Sequence, residues 1–248
     1  MKPIGINKVG SFNIGARVDS SYDGVFDNNV QVILNDGIFG DIQRATIGNI
    51  DELYAILQEE IKTSDGTFYS IMNIVYKIVT NYFGTFENIS KRSGNYKTDD
   101  ERENDDEIGN VSSLKGQNAG MCVERAMVSQ NLLKFLGIES YYKASTIINN
   151  GKTEGHAYNV IKYDNKCYIF DATMPRLMDN EITPIITEIP EEVFNAIIKP
   201  VEEPLQDTSL PVQVDYYNPI RGQQKRIIYD STSKNDVYVI EEKNTKKL

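Results

Sequence analysis

Two alternating runs joined by Asp164-Asn165 constrain this chain more than any other feature. Residues 156–163 read His-Ala-Tyr-Asn-Val-Ile-Lys-Tyr and alternate as a strand does, and residues 166–171, Lys-Cys-Tyr-Ile-Phe-Asp, alternate again. A two-residue Asp-Asn link between such runs signals a tight hairpin, because both residues tolerate the left-handed backbone that the turn needs. Closing the hairpin there pairs Tyr163 with Lys166, Tyr158 with Asp171 and His156 with Thr173. Side chains alternate between faces, so His156, Tyr158, Asp171 and Thr173 share one face. His156 and Asp171 become diagonal neighbours, about 7–8 Å apart at the backbone, a gap that side chains bridge. Cys167 and Ile169 fall on the face with Asp171, and Cys167 reads as a filler in the strand.

His156 is the only histidine in 248 residues, so it belongs to no histidine cluster and any chemistry it performs needs partners of other types. A thiol and a carboxylate are available. Gly116-Gln117-Asn118-Ala119-Gly120 is turn-prone. From Cys122 the pattern turns helical, with Cys122, Ala126, Ser129, Leu133 and Leu136 on one stripe and Gly137 as the stop. That puts Cys122 at the start of a helix, where free N–H groups and the positive end of the dipole favour thiolate over thiol. Cys122, His156 and Asp171 have the composition of a nucleophile, a base and an orienting acid.

Charge and cysteine usage exclude several classes. With 36 acidic against 26 basic residues the net charge is −10, the wrong sign for a general nucleic-acid binder or for adsorption to anionic membranes. The sequence has no apolar run of transmembrane length and no apolar leader core, so a cytoplasmic protein with two free thiols, Cys122 and Cys167, is expected. One His and two distant Cys provide no zinc spacing, and neither a Walker loop nor a dinucleotide fingerprint is present, so no metal and no cofactor are expected.

Along the rest of the chain, residues 1–48 read as short strands and turns, with a strand at 30–34. Two helices follow. Asn49 or Asp51 caps the first, which buries Leu53, Ile56, Leu57 and Ile61. Ser64 or Asp65 opens the second, and Gly84 ends it. Its wide stripe of Phe68, Ile71, Met72, Val75, Ile78, Val79 and Tyr82 is core packing. The acidic run 98–107 lacks the spacing of an EF-hand and reads as a solvated loop. Pro-containing connections from 175 to 211 are expected, then a short helix at Glu191–Ile198 and strands at 213–217, 226–229 and 236–240, with 241–248 frayed.

Residues 116–175 resemble the transglutaminase-like family of papain-type cysteine enzymes. In that family the catalytic Cys opens a helix of small residues that closes in a leucine-rich turn and Gly-Ile, matched here by Leu132-Leu133-Lys134-Phe135-Leu136-Gly137-Ile138. The following strand is matched by Tyr141-Tyr142-Lys143-Ala144. The family's His-Ala-aromatic motif is matched by His156-Ala157-Tyr158, and its strand-end Asp, small residue and Thr by Asp171-Ala172-Thr173. The chain departs from the family at Val123 and Tyr158, both often Trp there, which leaves the acyl donor open.

The resemblance implies an α+β, transglutaminase-like or papain-like fold. In it a catalytic Cys at a helix N-terminus packs on an antiparallel sheet carrying His and Asp. It implies Cys122 as nucleophile, His156 as general base and acid, and Asp171 as orienter. The oxyanion would rest on the Cys122 N–H and a side chain, Gln117 first and Asn118 second, and Tyr158 is a candidate substrate contact. Domains are expected at 1–48 (β-rich extension), 49–180 (catalytic core) and 181–248 (C-terminal extension packed on the core).

The expected function is acyl transfer from an amide through a thioester on a protein or peptide substrate. A protease or amidase is preferred, with a protein transglutaminase as runner-up. An arylamine acetyltransferase, an exported effector with this chemistry and a catalytically silent module are the remaining alternatives. Neither nucleic acid nor membrane is an expected partner, and the oligomeric state is left open.

Overall fold

The computed structural model describes residues 10–12, 20–35, 43–85, 92, 94–103, 107–198, 212–219 and 221–229. In chain order they form strands β1 (Gly10–Phe12), β2 (Ser20–Tyr22), β3 (Val30–Asn35) and β4 (Gln43–Thr46) and helices α1 (Asp51–Thr63) and α2 (Phe68–Phe83). Strand β5 (Gly109–Asn110) and helix α3 (Cys122–Phe135) follow. Strands β6 (Glu139–Asn149), β7 (Lys152–Tyr163), β8 (Lys166–Met178) and β9 (Glu181–Ile189) come next. Helix α4 (Glu191–Ile198) and strands β10 (Val212–Asn218) and β11 (Gln223–Tyr229) complete the described chain. The class is mixed α+β. The strand expected at 236–240, the tail 241–248 and positions 104–106 of the acidic run lie outside the described residues. No helix among the described residues is long and apolar enough to cross a membrane.

Three successive hairpins build the larger sheet, and each uses the same turn chemistry. Asn150-Gly151, Asp164-Asn165 and Asp179-Asn180 all sit at positive φ (52° and 76°, 50° and 58°, 49° and 66°). They join β6 to β7, β7 to β8 and β8 to β9 as two-residue loops. Only the middle one is read from the sequence above. Residues 175–189 are not connections, as expected there, but the end of β8 and the whole of β9. Pro175 and Pro184 both fall where the β8–β9 register breaks between Asp171 and Arg176, so neither removes a ladder bond.

The order in this antiparallel sheet is β10-β11-β6-β7-β8-β9, with β2 also on β6. The sheet curls until β10 packs against β8 and β9. Strand alternation divides two cores. Ala157, Ile161, Tyr168 and Phe170 face the helices, while Tyr158, Val160, Cys167 and Ile169 face the interior of the curl with Ile185, Val214, Ile227 and Phe194 of α4. A second, mixed sheet runs β1-β3-β4-β5.

The helices follow their apolar stripes with small departures. In α1 the first amide donates to Asn49 Oδ1, Leu53 and Leu57 are buried, and Ile56 points out, 45% exposed. Thr67, rather than Ser64 or Asp65, caps α2 by accepting from the Ser70 N–H, while Asp65 accepts from the Thr67 N–H. Gly84 ends the helix at φ 74°. Helix α3 is buried at every position from Val123 through Leu133. Its longer polar side chains bond to protein, while the buried Ser129 hydroxyl finds no partner among the described residues: Asn131 brackets Phe26, accepting from its N–H at 2.8 Å and donating to its C=O at 2.7 Å. Gln130 donates to Ser140 O, and Asn159 of β7 donates to Ala126 O and to Gln130 Oε1. These bonds fix the angle at which α3 crosses the sheet, since each lost partner would leave a buried polar group unpaired.

Candidate active site

The approach to Cys122 is held by charges that follow it. Glu124 is fully buried. One of its oxygens accepts from the Met121 N–H at 3.1 Å, and the other accepts from Arg92 Nε at 2.5 Å. Arg125 turns back to donate to Gly120 O at 2.8 Å and Gly84 O at 2.5 Å, with its guanidinium 5.6 Å from the centre of the Phe83 ring. Burial pulls the Arg125 pKa down to about 10. A Cβ on Gly120 would meet that Phe83 ring at 2.4 Å, so glycine lets the chain pass. Cys122 thus opens α3 with first-turn amides that have no acceptor within the helix. Sequence reasoning missed Glu124, Arg125 and Arg92. The available signal was two adjacent charges inside a helix that otherwise offers no polar face.

Gln117 and Asn118 bond to segments that precede the helix. Gln117 donates to Ser113 O at 2.5 Å and accepts from Asn95. Asn118, at φ 55°, accepts from the Thr85 N–H. Both help to build the turn ahead of the helix.

His156 and Asp171 meet as the parity of the hairpin requires. His156 Nε2 donates to Asp171 Oδ2 at 2.6 Å, and both side chains are buried. The register holds through Asn159–Phe170 and is lost beyond it, so the expected pairs Tyr158–Asp171 and His156–Thr173 are not part of the ladder. Asp171 supplies the reason. Its Oδ1 accepts from the N–H groups of Thr173 (2.8 Å) and Met174 (3.1 Å), which bends β8 away from β7. Tyr229 of β11 donates to Oδ2 at 2.6 Å, a contact sequence reasoning missed. Four donors on two oxygens saturate the carboxylate.

The electrostatics follow from those contacts. Burial opposes charge on His156, yet the Asp171 charge and hydrogen bond, with a hydrogen bond to Cys122, outweigh it and push its pKa up to about 10. Burial likewise opposes charge on Asp171, but His156, Tyr229 and the Thr173 N–H hold it below the usual carboxylate value. With Nε2 committed to Asp171, Nδ1 is the ring nitrogen left for Cys122, which borders the same cavity as His156.

The parting of β7 and β8 leaves a cavity of about 230 Å³. Met121 and Cys122 form one wall, and Glu154, Gly155 and His156 a second. Thr173 to Pro175 form a third, and Tyr216 to Pro219 of the β10 end a fourth. Tyr158, expected as a substrate contact, is 1% exposed and does not line it. Its ring stacks at 6.0 Å on His156 and meets Tyr229 edge-on at 4.8 Å, so it backs the imidazole. Cys167 is free, sits in the interior core, and has its pKa raised by burial. Among the described residues no group of three or more His, Cys, Asp or Glu is placed to hold a metal ion.

No protein-family model and no curated protein matches the chain. Among solved structures, "Crystal structure of a TGase" aligns at 14% identity with a TM-score of 0.33, over 50% of this chain. The aligned part spans 31% of that chain.

Proposed function

We propose that this protein is a cysteine-nucleophile acyl-transfer enzyme that cleaves amide bonds through a thioester, as a protease or amidase. One observation carries the reading: a buried carboxylate–imidazole hydrogen bond whose imidazole lines one open cavity together with a thiol at a helix N-terminus. Structural histidines are satisfied by packing and one bond. This one keeps its second nitrogen for a cysteine beside solvent-accessible space.

The step runs as follows. Cys122 Sγ, its proton on His156 Nδ1, attacks the amide carbonyl carbon. The carbonyl oxygen takes the negative charge and rests on the first-turn N–H groups of α3. As the carbonyl re-forms, the C–N bond breaks and His156 returns its proton to the leaving nitrogen. A free amine and a Cys122 thioester result. Water then attacks the thioester, gives its proton to His156, and expels the thiolate, so that a carboxylic acid leaves. Asp171 stays ionised and holds the ring and its tautomer. Glu124 and Arg125 hold the Gly120–Cys122 segment.

The test is alkylation by iodoacetamide across pH, read by mass spectrometry at Cys122 and Cys167 in the wild type and in His156→Ala. Cys122 should react fast well below the free-thiol pKa of about 8.5, and about a hundredfold slower without His156. Cys167 should stay slow in both. If Cys122 reacts like Cys167 and ignores His156, the enzyme reading fails and a silent module replaces it. Incorporation of a labelled amine into protein would replace hydrolysis with transamidation.

A further inference from the structure

The cavity beside Cys122 is chemically lopsided. Its walls are mostly apolar or aromatic, with Met121, Met174, Pro175, Tyr216, Tyr217 and Pro219, beside the neutral polar Thr173 and Asn218. Among the described residues that line it, Glu154 is the one carboxylate. Glu154 lies on β7 two residues before His156 and so points to the same side of the strand. It is exposed, and close enough to Tyr216 for its charge to act on that phenol. Tyr216 is itself held, donating its hydroxyl to Asn149 Oδ1 at 3.0 Å. A carboxylate beside two tyrosine rings, at the mouth of a small apolar cavity, is a recognition set for an organic cation. The carboxylate pairs the charge, and the ring faces and apolar walls take the aliphatic stem. An anionic group there would be repelled by the Glu154 charge in a chain already at −10.

We propose that Glu154, with Tyr216 and Tyr217, is the specificity site of this cleft and selects substrates carrying a lysine or arginine side chain next to the amide that is attacked. The cation is a recognition element and not the attacking amine. A carboxylate holds an ammonium in its protonated form, which has no lone pair to attack a thioester, and a guanidinium stays protonated throughout. The size agrees: about 230 Å³ is below the roughly 300–1,000 Å³ of sites for drug-sized ligands and suits one extended side chain beside the reacting group.

This inference rests on the acyl-transfer reading for the word substrate, but its recognition half is separable. Two measurements keep the failures apart. In the first, Cys122→Ala protein, which cannot turn over, is titrated calorimetrically with a capped arginine dipeptide amide and with its neutral citrulline counterpart. In the second, wild type and Glu154→Gln are labelled with peptide vinyl sulfones that differ only by arginine or citrulline. The arginine forms should be favoured roughly five- to tenfold, the combined worth of one partly exposed ion pair and a cation–aromatic contact. Glu154→Gln should collapse the ratio to about one, and Glu154→Lys should invert it toward a glutamate-bearing probe. Equal binding of arginine and citrulline by Cys122→Ala overturns the specificity site, whatever the chemistry. A clear arginine preference in that titration with no labelling of Cys122 by any probe keeps the site and overturns the enzyme.

Discussion

Tyr229→Phe is the sharpest test of how the site is held. The hydroxyl donates to Asp171 Oδ2 at 2.6 Å, on the same oxygen that accepts from His156. Both residues are at most 2% exposed, so no water takes the vacated place without cost. Phenylalanine keeps the ring and its edge-on contact with Tyr158, so packing changes little and the loss is the hydrogen bond itself. A buried bond to a charged acceptor contributes about 1.5–3 kcal/mol and one to a neutral acceptor about 0.5–1.5. The variant should therefore unfold about 2 kcal/mol more easily, a fall of roughly 4–8 °C in Tm for a chain of this length. In an Asp171→Asn background the same substitution should cost about 1 kcal/mol, because the acceptor is then neutral. The coupling, about 1 kcal/mol, is read from urea melts of the four proteins at pH 7. An equal cost in both backgrounds, or a Tyr229→Phe cost under about 0.5 kcal/mol, would refute the view that β11 completes the carboxylate's shell.

Two further expectations concern charge. The His156 pKa is raised to about 10 in the folded state from an ordinary value of 6.5. The pair's stabilisation is therefore complete below pH 6.5 and is lost as pH rises through about 10. Urea midpoints should fall between pH 7 and 10.5 by more in the wild type than in His156→Gln, and parallel curves would contradict it. Glu124→Gln strands the Arg92 guanidinium in a buried place, and should cost about 3–5 kcal/mol in the same assay. A loss below 1 kcal/mol would show that Arg92 moves out to water.

Much of the site was legible because it is local. Asp164-Asn165 sets a register by turn chemistry alone, and parity then places His156 and Asp171 together. Gly137 and the small residues after Cys122 mark a helix whose first residue is the cysteine. What was illegible comes from tertiary pairing. Asp171 captures two amides of its own strand, which ends the register three pairs early and opens the cavity. Glu124 and Arg125 look like ordinary helix-surface charges until α3 proves to have no surface, because a helix buried all round has no polar side for periodicity to find. Gln117 and Asn118 take part in the turn that leads into the helix. Tyr229 gave no signal at all, since nothing within its own strand distinguishes it from any other strand tyrosine.

The tyrosine on Asp171 also orders events in time. It follows that residue by 58 positions, and chains emerge and fold from the N-terminal side first. Cys122, His156 and Asp171 are thus all synthesised while the last donor to the carboxylate is still missing. The imidazole gains its full support only when β11 docks on β6. A nascent chain carries the thiol, the imidazole and the carboxylate before the last donor to that carboxylate, so the hydrogen-bonded set is completed only after the fold has closed around it.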